Sequence, residues 1–327
     1  MKKKCPCLGI TLGDPAGIGP EVTLKALQSL DGKRSFIPLI IGPLIFLGKK
    51  YQSLAQDLQV IPPNFKKEDL DPNQNYIYDL PLEILDPIIG QGTPQTGRES
   101  KIYIDQALEL WRSKKIDALV TGPVSKEYIE KSGTPFTGHT EYLATALGGE
   151  PYMMMFSEKY RVLLVTTHLP LEKVPSYLNK DKILATIKMG HQSLRQIDGG
   201  AVKLALAGLD PHCGDNGVIG SFDKEVTAQA IKEARNLGVE IDGPLAADSL
   251  FLENTWSKYN LVIAHYHDQG LIPFKLLAFN KGVNVTLGLS LVRTSVDHGP
   301  AYDIAGQDKA DFGSMVEALV LASELAS

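Results

Sequence analysis

An α/β fold in two domains is what this sequence predicts, on three observations. Short apolar runs of strand length alternate with stretches of helical periodicity from end to end, the pattern of layered α/β architecture. The chain has 327 residues, more than one hydrophobic core comfortably serves, which makes two domains the expected organisation. Polar residues that carry chemistry collect just after several apolar runs, and open α/β sheets bind ligands beyond the carboxyl ends of their strands.

Composition narrows the classes. A hydrophobic content of 43% with 22% charged residues is that of an ordinary globular protein. The net charge of -5 supplies no basic footprint and argues against nucleic acid as the main ligand. No apolar run approaches the roughly 18 residues that span a bilayer, so no membrane partner is expected. Lys2, Lys3 and Lys4 mimic the charged start of a signal peptide, but Cys5 to Leu12 is too short for its apolar core. A cytoplasmic protein is expected, and three cysteines fit a reducing compartment. Cys5 and Cys7 would hold a metal only with ligands from elsewhere and read as two thiols in a frayed terminus. Cys213, beside His212 in a glycine-rich loop, reads as a small buried hydrophobe rather than a metal thiolate.

Taken in order, Ile10 to Leu12 closes a first strand, and Gly13-Asp14-Pro15-Ala16-Gly17-Ile18-Gly19-Pro20-Glu21 turns it into a helix. Pro20 suits a first helical position and Glu21 suits the amino-end dipole. The three glycines permit close approach of a ligand or of a neighbouring loop; their spacing is not the dinucleotide-binding G-x-G-x-x-G. Phe36 to Ile41 is a second strand and Ile45 to Leu54 a helix. Asp57 to Gly97, rich in Pro, Asn, Gln and Asp, reads as peripheral connection with short strands near Val60 and Tyr76. Apolar residues at helical spacing mark a helix from Ser100 to Arg112. Ala118 to Val120 is a strand ending in Thr121-Gly122-Pro123, before a helix from Ser125.

Thr137-Gly138-His139-Thr140-Glu141 opens a helix that runs through Leu147. His139 and Thr140 offer donors to an anion at its amino end, or else Thr137 or Thr140 simply caps it. Tyr152 to Phe156, with three successive methionines, and Arg161 to Thr167 are buried strands; a helix then reaches Ile197. Val202 to Ala207 is a strand that ends in the loop Gly208 to Gly217. A helix covers Asp223 to Leu237, and Gly243 to Asp248 reads as a loop with one acidic group. Leu261 to Ala264 and Val283 to Leu287 are apolar strands, and a closing helix from Asp311 turns Phe312, Met315, Leu319 and Ala322 inward. There is no internal repeat and no low-complexity segment.

Two constellations stand out. The run from Asn260 to Gly306 packs His265, His267, His298, Asp268, Asp297, Asp303, Lys275, Asn284 and Arg293 into one strand–loop–strand region. Each needs a partner if buried, and such clusters mark sites. His168, His212 and His267 also each follow an apolar strand at its carboxyl end. Three neutral imidazoles on adjacent strand ends suit a divalent metal with an open coordination position.

The runs TLGDPAGIGPEV, TGPVSK, GHTEYLA, DPHCGDNG, GPLAADSLF, YHDQGLIPFK and GVNVTLGLSLVRTSVDHGPAYDIAG together resemble the 4-hydroxythreonine-4-phosphate dehydrogenase family, in order from Thr11 to Gly306. GDPAGIGPE alone also resembles the isopropylmalate and isocitrate dehydrogenases, which share the fold and the logic of oxidising a hydroxy acid before decarboxylating it. The resemblance implies a two-domain α/β/α subunit of that type. The expected domains are residues 1–130 together with 285–327, and 131–284, with the active site in the cleft between them. It also implies a homodimer with shared active sites, NAD or NADP, and a divalent metal bound by His168, His212 and His267 across the dimer. Zinc comes first among the metals, with magnesium, manganese or cobalt as alternatives. Substrate-binding positions fall on His139, Thr140, Lys275, Asn284 and Arg293. The departure from the family pattern lies at Asp210-Pro211-His212-Cys213-Gly214-Asp215, where Asn-Pro-His-Ala-Gly-Glu is usual.

The reaction implied is oxidation of 4-phosphooxy-L-threonine to a 3-oxo acid, followed by decarboxylation to 3-amino-2-oxopropyl phosphate in pyridoxal 5'-phosphate formation. Lys275, Asp248 and Asp268 are the catalytic candidates; the two aspartates either transfer protons or orient a metal-binding histidine. One alternative is a dehydrogenase of D-threonate or D-erythronate 4-phosphate. Another is a non-catalytic metal- or phosphoester-binding protein, against which the intact histidines, Lys275 and Arg293 argue.

Overall fold

The computed structural model describes residues 5–81, 86–278 and 281–327. The lysine run at Lys2, Lys3 and Lys4 lies outside them. The chain forms two compact units, Met1–Gly149 together with Leu289–Ser327, and Glu150–Gly288. Each is built of α/β layers.

In the first unit, β1 (Cys7–Thr11), β2 (Ile37–Gly42), β3 (Leu58–Val60), β4 (Asn75–Asp79) and β5 (Ala118–Thr121) pair in the order β3-β4-β2-β1-β5, and Val292–Val296 pairs with β5. Every pairing is parallel. β1 and β2 are buried along their whole length, as helices on both faces of a parallel sheet require. Cys7 is therefore no frayed thiol: it sits in β1, where burial, and then the Asp117 carboxylate, push it up to about 12.

The glycine-rich turn after β1 packs against backbone. A Cβ on Gly13 would stand 2.2 Å from the Pro123 carbonyl oxygen, and one on Gly19 would stand 2.0 Å from that of Leu12. Of the two partners the glycines permit, the neighbouring loop is the one found. Asp14 in the same turn is fully buried and accepts from the Ala16 amide at 2.9 Å, Thr96 Oγ1 at 3.1 Å and Tyr302 Oη at 2.8 Å.

Thr96 belongs to a helix, Pro94–Arg112, that starts inside the stretch expected to be connection. A capping box between Thr93 and Thr96, with Pro94 at the first position, outweighs the polar composition. The expected single helix after β2 is two, Leu44–Lys50 and Gln52–Ala55, parted where Tyr51 leaves helical dihedrals.

In the second unit, β6 (Tyr152–Phe156), β7 (Arg161–Leu164), β8 (Lys203–Ala207), β9 (Glu240–Leu245), β10 (Leu261–Ala264) and β11 (Val283–Leu287) run in the order β11-β6-β7-β10-β8-β9. β11 with β6 and β6 with β7 are antiparallel, and the other pairs are parallel. The methionine run fills β6 and is buried. Trp256 centres the core, 5.0 Å ring to ring from both Tyr160 and Phe251.

Two expectations are corrected, and one strand is additional to those expected. Gly243 to Leu245 is the end of β9, not a loop: after a bulge, Ala207 pairs with Leu245, and Ala247 and Asp248 begin a short helix, Ala247–Leu250. The segment after β10 is a helix, His267–Ala278, whose internal Pro273 hides its period in the sequence. Val292–Val296, here β12, is a strand although three of its five residues are polar. Its burial is possible because Thr294 Oγ1 donates to the Ala318 carbonyl at 2.8 Å and Ser295 Oγ to that of Thr121 at 3.2 Å. Among the described residues, no helix is long and apolar enough to cross a membrane.

Candidate active site

β7, β10 and β8 are neighbours, so the expectation that the three histidines follow adjacent strands holds within the second unit. Their side chains do not all meet. The rings of His168 and His267 lie 5.6 Å apart, centre to centre. They share a cavity of ≈ 460 Å³ with Thr167, Tyr266 and Asp268. Asp268 Oδ1 lies 2.6 Å from His267 Nδ1, which leaves Nε2 as the nitrogen with a lone pair to give. Of the two roles open to Asp268, orienting a histidine is the one this geometry displays.

His212 is exposed on the loop after β8, in a second cavity of ≈ 520 Å³ whose wall includes Asp248, Asp268, Gln269 and Tyr266. Tyr266 and Asp268 line both cavities. Among the described residues of one chain, no three His, Cys, Asp or Glu side chains form a group able to hold a metal. Beside His212, burial, then the carboxylates of Asp223, Asp248 and Asp210, raise the Cys213 thiol. That favours the neutral thiol over a metal thiolate.

Lys275 is half-buried further along the helix that starts at His267. Asn284 is half-buried on β11, opposite Met155 of β6. Neither lines the two histidine cavities.

The first unit gathers a different cluster. Arg293, on β12, is 3% exposed, and its Nε and Nη2 both donate to Thr121 Oγ1 at the end of β5, at 3.1 and 2.7 Å. Burial lowers the guanidinium and the Glu141 carboxylate raises it, to a balance of about 9, so it stays cationic at neutral pH. His139 opens the helix His139–Leu147 after Gly138, so neither Thr137 nor Thr140 is its cap. Its ring stands edge-on to Phe136 at 5.6 Å, and its Nε2 is out of solvent with no hydrogen-bond partner among the described residues. Burial, then the charges of Arg293 and Lys126, hold it well below the usual imidazole range. A neutral imidazole within the field of two cations is a hydrogen-bonding group for an anion that those cations attract. Thr140 follows on the same first turn, half-buried.

Reading of the sequence missed Lys126 and Thr121. Both stand in TGPVSK, a run that signalled a strand end but gave no reason to single out either side chain. The dense run from Asn260 to Gly306 is shared between the units, His265, His267 and Asp268 in one, Arg293, Asp297, His298 and Asp303 in the other. His265 is fully buried, held down to about 4 by burial, against the opposing pull of Asp223.

A mostly parallel α/β fold with histidines and aspartates at strand ends and a buried guanidinium offers a site for a small anionic molecule. Residues 35–322 match the family described as Pyridoxal phosphate biosynthetic protein PdxA, and the chain belongs to that family. It is 42% identical over 319 residues to the 4-hydroxythreonine-4-phosphate dehydrogenase of Sulfurihydrogenibium sp. (strain YO3AOP1), covering 96% of this chain and 97% of that protein. It is also 37% identical over 337 residues to the D-threonate 4-phosphate dehydrogenase of Cupriavidus necator, covering 100% of this chain and 99% of the other. Among solved structures, the 4-hydroxythreonine-4-phosphate dehydrogenase of Klebsiella pneumoniae superposes with a TM-score of 0.84 at 33% identity, over 100% of this chain and 99% of that one.

Proposed function

We propose that the chain oxidises the C3 hydroxyl of 4-phosphooxy-L-threonine with NAD or NADP, and that the 3-oxo acid then loses carbon dioxide to give 3-amino-2-oxopropyl phosphate for pyridoxal 5'-phosphate synthesis. Family membership supports it, and the observation that carries it to this chain is the His168–His267 pair with His267 braced by Asp268. Two imidazoles facing one cavity, one fixed in its tautomer, are donors of the kind a divalent metal takes, with zinc first. His212 is the third donor in this reading, supplied across a homodimer whose copies share active sites.

When bound, the metal supplies a Lewis acid at the C3 oxygen and the nicotinamide an acceptor for the hydride. The chain's own residues do the rest. Asp268 takes the Nδ1–H of His267 and keeps Nε2 turned to the site. Arg293 and Lys275 attract the substrate's phosphate and carboxylate, while His139, Thr140 and Asn284 hydrogen-bond to them. Asp248, on the wall beside His212, moves the proton that the hydroxyl releases, and Lys275 stands ready to return one after decarboxylation. Arg293 keeps its charge through this cycle because the Glu141 carboxylate opposes the effect of burial, while Thr121 Oγ1 holds the guanidinium in place.

The subunit in this proposal has the two-domain fold of the isopropylmalate and isocitrate dehydrogenases, with Met1–Gly149 and Leu289–Ser327 in one domain and Glu150–Gly288 in the other, in place of the expected boundaries near 130 and 285, and works in the cytoplasm. A second reading, favoured by the Cupriavidus relative, is oxidation of D-threonate 4-phosphate or D-erythronate 4-phosphate. Steady-state turnover of all three compounds, with NAD and NADP and each divalent metal, separates them. A higher kcat/KM for the amino acid phosphate supports the first reading and a higher value for a sugar-acid phosphate the second. No turnover of any of them overturns both.

A further inference from the structure

The loop after β8 carries the longest run of left-handed backbone in the described chain. From His212 to Gly217 six consecutive residues have positive φ, at 52°, 54°, 78°, 43°, 56° and 100°. Gly214 accepts this, and a Cβ there would stand 2.1 Å from the Gly220 carbonyl oxygen. His212, Cys213, Asp215 and Asn216 do not: each is an L residue held where its Cβ crowds the backbone. Such a turn persists only when its surroundings over-determine it.

The groups that hold it act on its root. Asp223 is fully buried, and its carboxylate accepts the Leu209 amide at 3.0 Å and the Asp210 amide at 2.9 Å, one on each oxygen. Bonds from amides to a buried charge are among the stronger kinds. Gln269 holds the residue before them. Its Nε2 donates to the Gly208 carbonyl at 2.7 Å, and its Oε1 accepts the His265 amide at 2.7 Å. Gln269 lies two residues beyond His267 on the same helix. Three successive residues ahead of the turn are thus pinned by two side chains, one of them riding on the element that begins with His267.

We propose that Asp223 and Gln269 are positioning residues for His212. They lock the root of the left-handed turn, so its imidazole is presented in one place for the metal. The inference rests on the metal reading above. Without the lock, the turn relaxes toward ordinary dihedrals and His212 is lost to the site even though its side chain is intact. Both act on His212 through the backbone of the turn.

The test is Zn²⁺ binding to purified metal-free protein, by competition with a chromophoric chelator, alongside thermal unfolding of the same metal-free samples. The variants are Asp223→Asn, Gln269→Ala, Gln269→Glu and His212→Ala. Gln269→Glu keeps an acceptor for the His265 amide and loses the donor to Gly208. Asp223→Asn and both Gln269 variants are expected to bind Zn²⁺ roughly 10- to 100-fold more weakly. The Gln269 variants should do so with an unfolding midpoint close to the parent's. Parental Zn²⁺ affinity in the Gln269 variants, with loss in His212→Ala, overturns the inference and leaves the metal reading standing. Parental affinity in His212→Ala overturns both. If Asp223→Asn does not fold, the two Gln269 variants decide alone.

Discussion

Arg293→Met is the perturbation that most directly tests where the substrate's anionic group sits. Methionine keeps much of the unbranched stem, so β12 stays filled while the charge and both bonds to Thr121 Oγ1 disappear. A bidentate contact from a buried guanidinium to an anion is worth about 3 kcal/mol. At about 1.4 kcal/mol per decade, that predicts a loss of roughly 150-fold in kcat/KM. The change also has a local signature. Arg293 is, after burial, the largest cause of the depressed His139 imidazole, so the His139 pKa rises in the variant while burial and Lys126 still hold it below 6.5. Steady-state kinetics give the first readout and NMR titration of the imidazole C–H resonances the second. Thr121→Val, which removes the shared acceptor but not the cation, should cost far less than Arg293→Met. An unchanged kcat/KM in Arg293→Met refutes the placement of the substrate. A large loss with no movement of His139 shows that the damage came from the strand and not from the charge.

Three further outcomes are expected. His168→Ala, His212→Ala and His267→Ala should each strip bound metal and most activity without unfolding the protein; metal analysis by mass spectrometry removes any residue whose variant stays fully loaded. Stability of the metal-free protein should fall as pH drops from about 6.5 toward 4. The unfolded chain takes up protons on His139 and His265 near 6.5, whereas the folded protein holds His139 well below that value and His265 down to about 4. Urea midpoints that stay level between pH 7.5 and pH 4.5 would contradict that account. Mixing inactive His212→Ala with inactive Arg293→Ala protein should restore part of the activity if the two residues serve one site from opposite copies, and a fully active monomer in sedimentation sinks the shared-site reading.

The sequence by itself determined the layers. Runs such as Leu261 to Ala264 and Tyr152 to Phe156 are apolar throughout, and a fully buried strand leaves that mark whatever surrounds it. It also determined the chemistry on offer, because histidines directly after strands stay at strand ends once the strands pair. Where polarity and burial part company, the sequence falls silent. β12 is polar in composition and buried in fact, since its partners on β5 and on the closing helix lie far away in the chain. The helix from His267 hides behind Pro273, and the one from Pro94 behind its polar neighbours.

Which residues act together was decided only by the tertiary structure. Sequence order treats His168, His212 and His267 alike, yet two rings face each other at 5.6 Å and the third stands on a left-handed turn in the next cavity. His139 and Arg293 are far apart in the chain, and only the pairing of β12 with β5 sets the guanidinium where its charge reaches the imidazole. Backbone handedness and charge at a distance depend on what the rest of the chain brings alongside, and no local pattern of residue types records it.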